Sequence, residues 1–190
     1  MLKTILITAA VVIVGFVILV ATRPADFRVT RTAAVSAPPS VVFAQVNELR
    51  KWEAWSPWGK LDPAMKQTYE GPPAGTGAAY GWSGNKNVGE GRMTITECRP
   101  NEFIRFNLEF VKPFAGICTT EFTFQPQGDQ TAVTWTMSGK NNFMAKAMGL
   151  FMNCDKMVGG QFDQGLAAMK SVAETAAKNN EATVSIAGKP

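Results

Sequence analysis

Few side chains in this chain could move a proton near neutral pH. Histidine is absent, which removes the usual base of a Ser or Cys hydrolase and the commonest metal ligand. Acid/base work would fall to carboxylates, lysines or tyrosines. Glu70, Glu90, Asp155 and Asp163 are the acids nearest the segments that would line an interior, with Tyr80 in the same region. Most of these acids fall on faces that read as polar, so solvated surface acids are expected. Cys98, Cys118 and Cys154 stand at wide spacings with no C-x-x-C pair, which signals neither a disulfide framework nor a zinc site and leaves buried thiols as the expectation. Gly75-Thr-Gly77 and Gly89-Glu-Gly91 do not complete a G-x-G-x-x-G fingerprint and carry no Walker Lys-Ser/Thr, so they read as turn or bulge glycines. No metal or organic cofactor is indicated.

The chain is richer in side chains that make apolar contacts. Trp52, Trp55 and Trp58 recur at intervals of three before and after Pro57, a spacing that puts large amphipathic rings on one side of a helical turn. Met144, Met148, Met152 and Met157 stand with Phe143 and Phe151. Such a run is either core packing or the adaptable lining of a pocket for a flexible apolar ligand, and the sequence leaves both open.

These residues need elements to position them. Ile5 to Ala21 is apolar except for Thr8 and Gly15, and with Leu2 to Thr4 it reaches ~20 residues, enough to cross a ~30 Å hydrocarbon layer. The stretch exceeds the ~7–15 apolar residues of a signal peptide, and Val20-Ala21-Thr22-Arg23-Pro24 offers no clean small-x-small cleavage site. Residues 1–23 are therefore expected to be an uncleaved membrane anchor. Arg23, Arg28 and Arg31 after the span favour a cytoplasmic domain, with a periplasmic one as the alternative. The formal net charge of +4 includes Lys3 and Arg23 beside the leader and no basic run follows, which argues against a nucleic-acid partner.

From Phe27 to Val35 polar and apolar residues alternate as in a strand; Ser36-Ala-Pro-Pro-Ser40 turns, and Val41–Leu49 follows as a helix. Six further strands are expected at Met65–Glu70, Ala78–Trp82, Val88–Glu97, Glu102–Phe110, Ala115–Gln125 and Thr131–Ser138, with short turn-rich links that make an antiparallel meander. Ile104, Phe106, Leu108 and Phe110 share one face, as do Val133, Trp135 and Met137. Phe143 to Ala177 has helical spacing, with Gly159-Gly160 as a candidate kink. The period then fails, so residues 179–190 are expected to be a disordered tail. The result is one α+β domain over residues 24–178.

Ser36-Ala-Pro-Pro-Ser-Val-Val-Phe43, Trp52-Glu-Ala-Trp-Ser-Pro-Trp58, Gly89-Glu-Gly-Arg-Met-Thr-Ile-Thr96, Glu121-Phe-Thr-Phe-Gln-Pro126 and Thr131-Ala-Val-Thr-Trp-Thr-Met137 give the chain a resemblance to the START-like, helix-grip superfamily called SRPBCC, in particular its polyketide cyclase/dehydrase-type members. The resemblance covers Phe27 to Ala177. It implies an antiparallel sheet wrapped around a long C-terminal helix, with an apolar cavity between them. It places Trp55, Trp58, Tyr80, Trp82, Met93, Phe106 and Leu108, then Phe122, Trp135, Met137, Phe151, Met157 and Phe162, around that cavity. The superfamily shares a cavity more than a reaction, and no interior acid is assignable. A membrane-held domain that binds a lipid or other hydrophobic small molecule is therefore the leading expectation, more a binding protein than an enzyme. A cyclase-like enzyme using Tyr80 or Glu90, and a domain that docks a protein partner, are the alternatives.

Overall fold

A computed structural model of the chain describes residues 1–151 and 153–187; Met152 and residues 188–190 lie outside the described residues. Helix α1 (Leu2–Ala21) is followed by β1 (Asp26–Val35), α2 (Pro39–Asn47) and two 3-10 turns (Leu49–Ala54 and Trp58–Lys60). The meander β2 (Lys66–Glu70), β3 (Ala79–Ser83), β4 (Glu90–Arg99), β5 (Phe103–Lys112), β6 (Gly116–Gln127) and β7 (Gln130–Lys140) comes next, then α3 (Phe143–Met148) and α4 (Cys154–Ala187). All seven strands form one antiparallel sheet in the order β1-β7-β6-β5-β4-β3-β2. This is the helix-grip arrangement expected from the sequence, with β1 closing the sheet against β7.

The outer face is wet because the residues that alternate outward are polar. Arg92 pairs with Glu70 at 2.9 Å, and Arg105 pairs with Glu121 at 2.9 Å and also with Glu97. Thr30 and Thr32 meet Thr136 and Thr134 across β1 and β7 at 3.1 and 2.9 Å. The inner face carries Ile95, Ile104, Phe106, Phe122, Trp135 and Met137, all buried. Helix α4 lays Phe162, Leu166, Met169, Ala173 and Ala177 on that face, a three-and-four spacing that makes one apolar stripe. Its main contacts are with β1, α2 and the first 3-10 turn, so it leaves the β2–β4 half of the inner face to other side chains.

The C-terminal segment differs in detail from the single helix expected. The C-terminal helix does not start at Phe143; the chain breaks into α3 and α4 around Gly149 and Asn153. Asn142 Oδ1 accepts from Ala145 N at 2.8 Å and Asn153 Oδ1 from Lys156 N at 2.9 Å, so each helix has its own N-cap. Gly159 and Gly160 lie inside continuous α4. The glycine at 159 serves packing, since a Cβ there would collide with the guanidinium of Arg31. Finally, α4 continues through Ala187, past the loss of period at Asn179.

Candidate functional site

Where the resemblance implies a cavity, the interior holds rings. A 3-10 turn repeats every three residues, so side chains at i and i+3 eclipse. In this chain that brings Trp52 and Trp55 to 4.5 Å between centroids. Their indole N–H groups donate to Val46 O at 2.9 Å and Gln45 O at 3.0 Å, the carbonyls of α2. The sheet supplies Trp135, stacked on Phe122 at 4.8 Å and on Phe162 of α4 at 3.9 Å, and Trp58 meets Trp135 edge-on at 5.7 Å. Gly165 of α4 lies against the Trp135 ring and Pro57, leaving no room for a Cβ. Of the expected lining, Trp55, Met93, Phe106, Phe122, Trp135, Met137 and Phe162 are thus packed core. Phe151 and Met157 are not part of it: they are 81% and 53% exposed, because the break between α3 and α4 turns them to the surface.

Trp58 is partly buried against the same core, and the three remaining expected residues form a different feature. Tyr80, Trp82 and Leu108 are half-buried, and with Tyr69 and Phe110 they make a shelf on the uncovered half of the inner face. Tyr69 lies directly across from Tyr80 in the β2–β3 ladder. Ring centroids run 5.3 Å from Tyr69 to Tyr80, 6.0 Å from Tyr80 to Trp82 and 5.9 Å from Trp82 to Phe110. Trp82 is held by its N–H, which donates to Val88 O at 3.1 Å, and Gly91 opposite it has no side chain to push the ring away. The shelf packs against the buried core, with Met93 paired with Tyr80 and Leu108 in the ladders on either side.

One end of the shelf is polar. The Tyr69 hydroxyl is 2.9 Å from Glu53 Oε1 and 2.8 Å from Gln67 Oε1, and the Arg50 guanidinium sits 4.3 Å from the Tyr69 ring centre. Burial first, and Glu53 second, push the Tyr80 phenol up to about 12; the same causes push Tyr69 up further. Both phenols therefore keep their protons at neutral pH and act as donors. A cleft of about 20 Å³, bounded in part by Trp52, Glu53, Ser56 and Tyr80, opens here, room for one water-sized group. A larger cleft of about 210 Å³ lies beside it between Arg50, Tyr69 and the Gly71-Pro-Pro73 turn.

Of the acids considered from the sequence, Glu70 borders the larger cleft while paired with Arg92 at 2.9 Å; the other three sit elsewhere, in ion pairs. Glu90 meets Lys112 at 2.8 Å, and Asp155 and Asp163 meet Arg31 at 3.1 and 3.3 Å. Arg31 holds the Asp155 carboxyl below its ordinary value, chiefly by hydrogen bonding. Among the described residues there is no cluster of His, Cys, Asp or Glu that could hold a metal. Two polar atoms are buried without a protein partner on the sheet side, Thr120 Oγ1 and Trp135 Nε1. Sequence reasoning missed Tyr69, Glu53 and Thr120. The signal for Tyr69 was present, since it is the aromatic residue of β2 that alternation places inward.

The family model for polyketide cyclase / dehydrase and lipid transport matches residues 26–174, which runs from the first strand of the sheet into the helix that grips it. The chain belongs to this family. Solved structures share the fold at low identity. Protein CV1439 from Chromobacterium violaceum aligns with a TM-score of 0.57 and 16% identity over 80% of this chain and 99% of its own. Protein SA2116 from Staphylococcus aureus gives 0.59 and 12% over 80% and 96%. Ara h 8.0201 gives 0.52 and 10% over 79% and 99%. No curated protein matches the sequence. The family and its START-like architecture are those the sequence motifs imply. At these identities the neighbours speak for the fold alone.

Proposed function

We propose that this chain is a membrane-held binding protein, in which α1 spans the bilayer and the aromatic shelf takes an elongated apolar molecule such as a lipid acyl chain or a polyketide-like chain. The observation that carries the reading is the partly exposed row Tyr69, Tyr80, Trp82 and Phe110 on a part of the inner face that α4 does not contact closely. Large rings left partly in water gain from covering apolar surface, at about 25 cal/mol per Å² removed from water. The family description, which names lipid transport beside cyclase and dehydrase, supports the same ligand class. A helix long and apolar enough to span a membrane precedes the domain. The Tyr80 hydroxyl, which keeps its proton, offers a donor to an oxygen at the end of such a ligand. Binding is favoured over catalysis, since neither phenol is poised as a base and Glu90 is tied to Lys112.

Native mass spectrometry of the full chain, released from lipid nanodiscs, tests this. The expected result is a stoichiometric apolar adduct that survives mild activation in the wild type and is lost in Trp82→Ala, whose folding is checked by circular dichroism. An adduct held equally by both proteins would be lipid clinging to α1 and would overturn the shelf as the site.

A further inference from the structure

The end of the domain nearest α1 carries apolar side chains that the fold does not need. In the β5–β6 hairpin, Val111, Phe114 and Ile117 are 54%, 51% and 68% exposed. Around α3, Phe143, Met144 and Phe151 are also exposed. The strand registers bring these segments to one end. Asp26 pairs with Lys140, Gly139 with Cys118, and Phe110 with Gly116. The hairpin tip, the start of β1 and the entry to α3 therefore share one edge of the sheet.

That edge is also where the apolar helix enters. Only Thr22–Ala25 separate α1 from β1, a reach of at most about 14 Å when extended. The link is itself tied down, because Asn141 N donates to Ala25 O at 2.6 Å. Helix α1 packs against α3, and Val20 near its end is fully buried. The helix is thus seated on the domain at the same edge that exposes the six apolar residues.

We propose that this edge is a docking rim that inserts into the headgroup–acyl boundary of the same bilayer that α1 crosses. The proposal rests on the reading of α1 as a span. It identifies the occupant as lipid, because a seated spanning helix puts this edge within about two headgroup-layer thicknesses of the hydrocarbon. Exposed Phe, Ile and Met on a hairpin tip and a short helix are the side chains that partition into that boundary. The insertion is apolar in origin and needs no anionic lipid. It also has a consequence for the shelf: Phe110 and Trp82 lie next to the hairpin, so the docked rim presents the shelf to lipid within the membrane.

The test uses the unmodified full chain in phosphatidylcholine vesicles doped with a phosphatidylcholine that bears a diazirine near the top of one acyl chain. After irradiation, lipid adducts are mapped by peptide mass spectrometry. The expected pattern is adducts on α1 and on peptides containing residues 111–117 and 143–151, with none at the Pro100-Asn101 turn at the far end of the sheet. Adducts on α1 alone would overturn the rim while leaving the tether standing. Absence of adducts from α1 as well, in vesicles where a known spanning protein is labelled, would overturn the tether and the rim together.

Discussion

Gly91 faces the ring of Trp82 across the β3–β4 ladder, and the contact decides what this position can hold. A Cβ at 91 would meet both the six-membered ring of Trp82 and the backbone oxygen of Glu109. The second obstacle is main chain and cannot rotate away. Gly91→Ala is therefore expected to cost about 1–3 kcal/mol, the usual range for overpacking, and to lift Trp82 off the sheet. Chemical denaturation gives the first quantity, and Trp82 is read by the loss of the apolar adduct. An unchanged midpoint would mean that the sheet relaxes at no cost. The glycine was legible as a bulge or turn residue but not as the partner of a ring, because cross-strand register cannot be read from spacing alone. Gly159 illustrates the same limit: its role is to clear Arg31, a residue far away in sequence.

At the scale of elements, one contact links α4 to the turn after β1. Glu174 Oε1 accepts from Ser36 N at 2.8 Å and pairs with Lys170 at 3.0 Å. The Ser36 N–H, and then Lys170, hold the Glu174 carboxyl below its ordinary value. A depressed folded-state pKa stabilises the fold above the unfolded-state value and loses that contribution as pH falls through the folded one. Glu174→Gln is thus expected to melt lower than the wild type at neutral pH, with the gap closing below about pH 4. Thermal midpoints at several pH values check it, and a constant gap would assign the loss to packing. The elements themselves were largely legible. Alternation marks Phe27–Val35, Ile104–Phe110 and Val133–Ser138, and turn residues such as Pro126-Gln-Gly-Asp129 separate the strands. The α3–α4 break was not seen, because apolar residues continue through Gly149 and Asn153 at nearly helical spacing. The caps signal the break and the periodicity conceals it. The filled interior was equally hidden, since a row of inward rings reads the same whether it lines a cavity or closes one.

For the whole molecule the decisive contrast is between two sets of apolar residues. Trp135 touches rings from the 3-10 turns, the sheet and α4, so it joins three parts of the fold into one core. Phe114 and Ile117 are apolar as well but stand 51% and 68% exposed at the β5–β6 hairpin. Fold stability and membrane docking should therefore separate cleanly by mutation. Trp135→Ala removes a large buried ring and is expected to cost about 3–5 kcal/mol, read as a lower denaturant midpoint of the whole domain. Phe114→Ser and Ile117→Ser, at exposed positions, are expected to stay within about 0.5 kcal/mol of the wild type in detergent. In vesicles the same two substitutions should reduce lipid labelling of the hairpin. A large loss of stability on changing Ile117 in detergent would mean that the hairpin tip packs within the fold, and its exposed side chains would then need no bilayer to account for them.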